Sequence, residues 1–168
     1  MRRILLVLGT MFIASIAVAQ IHFNLNFNVD RQPIWGPAGY DHVEYYYLPD
    51  LEVYYNVPQQ RWFYFERGRW MNGSSLPSRY RGYDLYHSYK VVVNDREPYR
   101  NHETYRAKYS SFKGHRDQQV IRDSRDSKYF VNKNHPEHGN WEKQQKHDNG
   151  NGKDNGKNNG RGNNRRRE

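Results

Sequence analysis

The sequence of 168 residues contains no cysteine. Some small domains are stabilised by disulfides, and this chain can form none, so its stability has to come from a hydrophobic core. Residues 21 to about 131 provide roughly 110 positions for that core, which is enough for one domain and too few for two. The missing cysteine also excludes the lipid anchor that bacterial lipoproteins carry directly after their signal sequence.

Long hydrophobic runs are absent except at the very start of the chain. Arg2 and Arg3 precede an apolar stretch from Ile4 to Val18, and Ala17-Val18-Ala19 has the small-x-small pattern of a cleavage site. The alternative is an uncleaved anchor, but a run of about 15 residues is shorter than the roughly 20 that span a bilayer. The sequence therefore predicts a signal peptide over residues 1–19 and a mature chain that begins at Gln20, in the periplasm or outside the cell.

The last 27 residues, 142–168, contain no aliphatic residue and no Phe, Tyr or Trp. Without such residues no core can form, so the segment is predicted to be a disordered tail. Eight basic and four acidic residues give it a charge of +4, whereas residues 4–141 carry only +3 with 17 basic and 14 acidic residues. Arg165, Arg166 and Arg167 are the candidate electrostatic contacts with an anionic surface; the alternative is a solubilising extension.

Aromatic and β-branched residues dominate the first half of the mature chain. Apolar residues occupy every odd position from Ile21 to Val29, which is the period of a half-buried strand. Further strands are predicted where such residues cluster between Pro-containing or Gly-containing turns, at Val43–Leu48, Leu51–Val57, Arg61–Glu66 and Arg69–Met71. Short turns between neighbouring strands favour an antiparallel meander.

A helix is predicted over Pro98–Phe112. Proline suits a first helical turn, the spacing of His102, Tyr105, Tyr109 and Phe112 gives one aromatic face, and Gly114 follows as a stop. Weaker signals predict a short irregular helix over Leu76–Tyr86, a strand over Tyr89–Val93, and a last strand from Val120–Ile121 and Tyr129–Val131. Together these elements predict one α+β domain over residues 20–141.

Two stretches of the chain carry distinctive motifs. The first is Gln32-Pro33-Ile34-Trp35-Gly36-Pro37, continued by Val43-Glu44-Tyr45-Tyr46-Tyr47-Leu48-Pro49-Asp50; the second combines a Tyr-Tyr-x-Val-Pro hairpin with Gly68-Arg69-Trp70. In these motifs the chain resembles small exported proteins of Bacteroidota, and the resemblance covers about Gln32 to His135. It implies a bacterial envelope setting, and it implies no catalytic residue, because no activity is assigned to that family.

Tyr54, Trp62 and Tyr64 are the candidate stacking surface. On Leu51–Val57 the odd positions form an apolar face, which leaves Tyr54 on the other; on the next strand Phe63 and Phe65 suit the core, which leaves Trp62 and Tyr64 outside. Aromatic rings of this kind suit stacking on sugars or binding a peptide. The alternative is that the helix Pro98–Phe112 covers these rings and makes them part of the core.

Basic residues alternate with tyrosines in the predicted helix, where Arg106 and Lys108 are the candidate binding residues. Cations beside stacking surfaces are typical of single-stranded nucleic-acid binders. Export removes the chain from most nucleic acid, so an anionic glycan or lipid headgroup of the envelope is the expected partner. The alternative is an ordinary solvated helix face.

The sequence contains no catalytic motif, and no cofactor or metal is predicted. Glu44, Asp50 and Glu52 are the carboxylates from which a hydrolase acting on an envelope polymer would have to draw its pair. His135 and His138 have the spacing of two metal ligands, but no third ligand accompanies them. The expectation is therefore a non-enzymatic exported protein, with the hydrolase and the nucleic-acid binder as alternatives.

Overall fold

A computed structural model of the protein describes residues 27–151. Five antiparallel strands form one sheet in the order β4-β3-β2-β1-β5. Their bounds are β1 Tyr45–Leu48, β2 Val53–Asn56, β3 Arg61–Glu66, β4 Arg69–Gly73 and β5 Val91–Val93. Two α-helices follow, α1 His102–Lys108 and α2 His138–Asn151. The prediction of an α+β fold built on an antiparallel meander is confirmed.

The sheet has an aromatic core on each of its faces. On the first face Tyr46, Tyr55 and Trp62 are buried, and Trp35 from the N-terminal loop stacks on Trp62 with ring centroids 5.5 Å apart. On the second face Tyr54 and Phe63 are buried against Tyr105 of α1 and its neighbours. Aromatic side chains bury large areas, so a sheet covered on both sides can stabilise a domain that has no disulfide.

A buried polar network ties the N-terminal loop to the rest of the domain. The Gln32 side chain accepts a hydrogen bond from the Tyr46 hydroxyl at 3.2 Å and donates one to the Asn28 side chain at 3.3 Å. The Asn28 side chain in turn bonds both backbone groups of Val43, and the Asn132 amide donates to the Gln32 carbonyl oxygen. Buried polar groups are costly without partners, so this pairing fixes the loop on the sheet.

The predicted helix Pro98–Phe112 is present as three short pieces. Pro98–Asn101 is a 3₁₀ helix, α1 covers the middle, and Ser110–Phe112 is again 3₁₀. Gly114 follows with a φ of +81° in the left-handed region, as expected of a residue that ends a helix. Tyr105 and Tyr109 of its aromatic face pack in the core on the second face of the sheet, which is the arrangement given above as the alternative.

Two other predictions of secondary structure were wrong, and a third can be compared with the structure only in part. Leu76–Tyr86 is helical only as a 3₁₀ turn at Ser78–Tyr80, and Gly82 interrupts it with a φ of +80°. The last strand is absent: Ile121–Asp123 and Ser127–Val131 are 3₁₀ helices, and Val120 makes a single bridge to Pro37. Val29 begins a 3₁₀ helix, Val29–Arg31, while residues 21–26 of the predicted first strand lie outside the described residues.

Helix α2 overlaps the start of the predicted C-terminal tail, residues 142–168. It runs through the first ten residues of the predicted tail, and every described side chain from 142 to 148 is exposed, so these residues add nothing to the core. Residues 152–168, including Arg165, Arg166 and Arg167, and the predicted signal peptide lie outside the described residues. No helix within 27–151 is long and apolar enough to cross a membrane.

Candidate functional site: an aromatic cleft beside helix α1

Tyr54 and Trp62 do not form the predicted stacking surface. Tyr54 pairs with Phe63 and Tyr55 pairs with Trp62, and directly paired residues of antiparallel strands share a face. Tyr54 therefore lies on the second face beneath α1 at 0 % exposure, and Trp62 lies on the first face at 6 %. The prediction was wrong because it assigned Phe63, rather than Trp62, to the face of Val53 and Tyr55.

The other three candidate binding residues, Tyr64, Lys108 and Arg106, do not lie together. Tyr64 is half-buried at the edge of the first face, where the Arg79 guanidinium lies 5.9 Å from its ring centroid. Lys108 is exposed and places its ammonium group 5.0 Å from the Tyr109 ring. Of the five candidate binding residues, which are Tyr54, Trp62, Tyr64, Arg106 and Lys108, Arg106 alone lines the cleft described next.

The cleft lies between strands β2–β4 and the start of α1, with a volume of about 540 Å³. Phe65, which is 52 % exposed, and the half-buried Trp70 present an aromatic pair there with ring centroids 5.6 Å apart in an edge-to-face arrangement. Tyr80 and Tyr99 add further rings, and the polar lining consists of Glu52, Arg100, Asn101, His102, Glu103, Thr104 and Arg106. The cleft thus combines open aromatic surface with hydrogen-bonding groups.

His102 packs into the inner wall of the cleft. Its ring centroid is 5.0 Å from that of Trp70, and its Nδ1 atom is 3.2 Å from the Tyr54 hydroxyl oxygen. Burial lowers the pKa of His102 from its usual value, even though Glu52 at 3.7 Å opposes the shift. The imidazole is therefore neutral at pH 7.

Glu52 holds two cations at the end of the cleft. Its Oε1 atom accepts hydrogen bonds from Lys113 Nζ at 2.6 Å and from Arg106 Nε at 3.1 Å. Burial would raise the pKa of Glu52, but these two cations outweigh it and hold the pKa below its usual value. The carboxylate is ionised at neutral pH and joins the β1–β2 turn to α1 and the segment after it.

The three carboxylates of the hydrolase hypothesis have structural partners. Asp50 accepts hydrogen bonds from the Tyr83 hydroxyl at 2.7 Å, from Gly114 N–H at 2.7 Å and from Arg116 at 2.8 Å. These bonds outweigh burial and lower the pKa of Asp50. Glu44 lies away from the cleft, 3.1 Å from His42 Nε2. A general acid needs a raised pKa, so Asp50 and Glu52 are poor candidates for that role.

His135 and His138 are not arranged as a metal pair. The Glu137 N–H donates to His135 Nδ1 at 3.1 Å, which places the proton of the neutral ring on Nε2 and leaves that atom without a lone pair for a metal. His138 Nδ1 is 2.7 Å from the Phe130 carbonyl oxygen. Within residues 27–151 no group of three His, Asp or Glu side chains is placed to hold a metal ion.

Sequence reasoning missed Phe65, Trp70 and His102 as members of one cleft. Trp70 belongs to the Gly68-Arg69-Trp70 turn that carried the resemblance, but its position beside Phe65 follows from the pairing of β3 with β4. Comparison with known protein families, curated proteins and solved structures found no match. The geometry of the cleft is therefore the basis of the functional conclusion.

Proposed function

We propose that the protein is an exported, non-enzymatic binding protein of the bacterial envelope whose cleft binds a glycan. The observation that carries the proposal is the Phe65–Trp70 pair, which exposes aromatic surface inside a cleft with polar walls. Sugar rings have apolar C–H faces that stack on aromatic rings, and their hydroxyl groups need polar partners. Asn101, Glu103 and Arg106 provide such partners at the rim.

The carboxylates of the cleft favour binding over catalysis, and its size suits a small ligand. About 540 Å³ falls within the range of small-ligand sites, roughly 300–1,000 Å³. The only carboxyl groups that line it are those of Glu52, already paired with two cations, and of the largely exposed Glu103. A hydrolase would need a protonated carboxyl group facing the substrate.

The cationic C-terminal segment adds a second mode of binding to the proposal. With eight basic residues against four acidic ones, residues 142–168 are suited to long-range attraction by an anionic envelope polymer or lipid headgroups. In this view the cleft supplies short-range recognition of a ring, while Arg165, Arg166 and Arg167 hold the protein close to the surface.

Phe65→Ala is expected to weaken binding to isolated envelope glycans by about tenfold or more, because it removes the more exposed ring of the Phe65–Trp70 pair. Its exposed ring makes the substitution compatible with folding. Trp141→Ala is the control, since that half-buried tryptophan stacks on His138 outside the cleft. Co-sedimentation with the glycan fraction measures the effect. Equal binding by Phe65→Ala and the wild type would refute the proposed site.

Replacing Arg165, Arg166 and Arg167 together by glutamine is expected to reduce retention on an intact envelope fraction several-fold at about 0.05 M salt. At about 0.5 M salt the difference should vanish, because screening then limits these charges to a few ångströms. Retention of the wild type and the variant is compared at both salt concentrations. Retention that ignores salt would remove the electrostatic part of the proposal and leave the cleft untouched.

A further inference from the structure

We infer that the cleft selects an uncharged sugar unit and that Glu103 repels its acidic counterpart. This inference rests on the proposed glycan-binding function and deepens it by naming the class of ligand. The cleft and the cationic tail then have different ligand preferences: the tail attracts anions, and the cleft discriminates against them.

Each basic side chain that lines the cleft already has a carboxylate partner. Arg100 Nε lies 2.9 Å from Glu97, Arg106 Nε lies 3.1 Å from Glu52, and His102, which is neutral at pH 7, lies 3.7 Å from Glu52. An acidic sugar would need a cation to compensate for the loss of water around its carboxylate. To obtain one, it would have to share Arg100 or Arg106 with the carboxylate that already neutralises that side chain.

The charges around the cleft cancel. Three carboxylates, those of Glu52, Glu97 and Glu103, are matched by three cations, those of Arg100, Arg106 and Lys113. A rim without net charge offers no attraction to an anion. It can still donate and accept hydrogen bonds, which is what the hydroxyl groups of a neutral sugar require.

Glu103 is the residue that makes the cleft select against acidic sugars. Its side chain is 82 % exposed and its closest cation is Arg106, at 3.4 Å. A ligand carboxylate that recruited Arg106 would compete with Glu103 for the same guanidinium and lie close to a second negative charge. Two like charges a few ångströms apart repel each other even near the surface. A sugar hydroxyl at the same place would instead donate to the Glu103 carboxylate.

The test uses full-length protein carrying the Arg165, Arg166 and Arg167 to glutamine substitutions, so that tail electrostatics do not mask the cleft. Tetrasaccharides of glucose, mannose and galactose are each paired with the uronic-acid oligomer of the same sugar. Binding is measured by titration calorimetry and by the change in tryptophan fluorescence. We expect at least one neutral oligomer to bind about tenfold or more tightly than its acidic counterpart.

Glu103→Gln keeps the size and the accepting oxygen but removes the charge. It should leave binding of the neutral oligomer within about twofold and should tighten binding of the acidic one several-fold. Glu137→Gln, an exposed position outside the cleft, should change neither. Equal or tighter binding of the acidic oligomer by the parent, or a preference that Glu103→Gln does not alter, overturns the inference. If no oligomer binds and tryptophan fluorescence stays constant, the glycan-binding function itself fails, and the inference fails with it.

Discussion

Raising the pH from about 9 to about 12 is expected to unfold the protein in one steep transition, accompanied by ionisation of its tyrosines. The chain has 15 tyrosines, and many of them form the two cores rather than the surface. A tyrosine ionises near pH 10 in an unfolded chain, so a fold that keeps its tyrosines neutral above that value loses stability as the pH rises.

Burial is the main cause of the expected alkaline instability. It raises the pKa of Tyr47, Tyr83 and Tyr105 to about 12 and raises the pKa of Tyr46 and Tyr54 further. Between pH 10 and pH 12 the unfolded chain therefore binds fewer protons than the folded one. The stability conferred by neutral tyrosines is complete below pH 10 and is lost as the pH rises toward the folded values.

The size of the effect follows from the number of groups. Each fully titrating tyrosine lowers the free energy of unfolding by about 1.4 kcal/mol per pH unit. The four buried ones, Tyr46, Tyr47, Tyr54 and Tyr105, together lower it by about 5 kcal/mol per unit, and the half-buried Tyr83 adds less because water screens its charge. Small domains have total stabilities of about 5–15 kcal/mol, so about one to three units suffice. Lys90 acts in the opposite direction: burial lowers its pKa to about 8, so its contribution to stability rises between about pH 8 and 10.5. One such group cannot offset four.

The rise in absorbance at 295 nm, which reports tyrosinate formation, should have the same pH midpoint as the loss of the circular-dichroism signal. Tyr47→Phe should raise the midpoint of the transition, because within the described residues the buried Tyr47 hydroxyl has no hydrogen-bond partner and its removal sacrifices none. Tyr40→Phe, at an exposed position, should leave the midpoint where it is. Gradual ionisation near pH 10 with unchanged circular dichroism would show that these tyrosines are not buried in solution.

The sheet was largely predictable from the sequence because each strand is short, aromatic and bounded by turn residues. β3 has the predicted ends, and the turn Arg67-Gly68 adopts the left-handed backbone, with φ of +51° and +76°, that such a tight turn requires. What the pattern could not supply was the use of both faces. A strand with aromatic residues at every position has no polar side, so alternation does not reveal which face a ring occupies.

The candidate site was not predictable for a related reason. Phe65 and Trp70 are neighbours only because β3 pairs with β4, and His102 reaches them only because α1 crosses the second face. Register and helix placement depend on long-range packing that no local spacing encodes. The 3₁₀ segments after Gly114 were missed for the same reason, since tertiary contacts hold them and their own propensity is weak.

Trp62→Ala is expected to destabilise the domain by about 3–5 kcal/mol, the range for truncating a large buried aromatic residue. The Trp62 ring stacks on Trp35 and packs against Tyr55 at a centroid distance of 4.8 Å, so its loss would open a cavity between the sheet and the N-terminal loop. Phe65→Ala, which replaces an exposed ring on the same strand, should cost less than about 1.5 kcal/mol.

Urea unfolding of the two variants separates the core from the cleft. Trp62→Ala should shift the midpoint strongly while the remaining folded protein still binds glycan, whereas Phe65→Ala should behave in the opposite way. Trp62 and Phe65 are both aromatic residues of β3, so each variant truncates an aromatic side chain of the same strand. If Trp62→Ala left stability unchanged and abolished binding, Trp62 would be a surface residue, and the pairing of Tyr55 with Trp62 that places it in the core would be wrong.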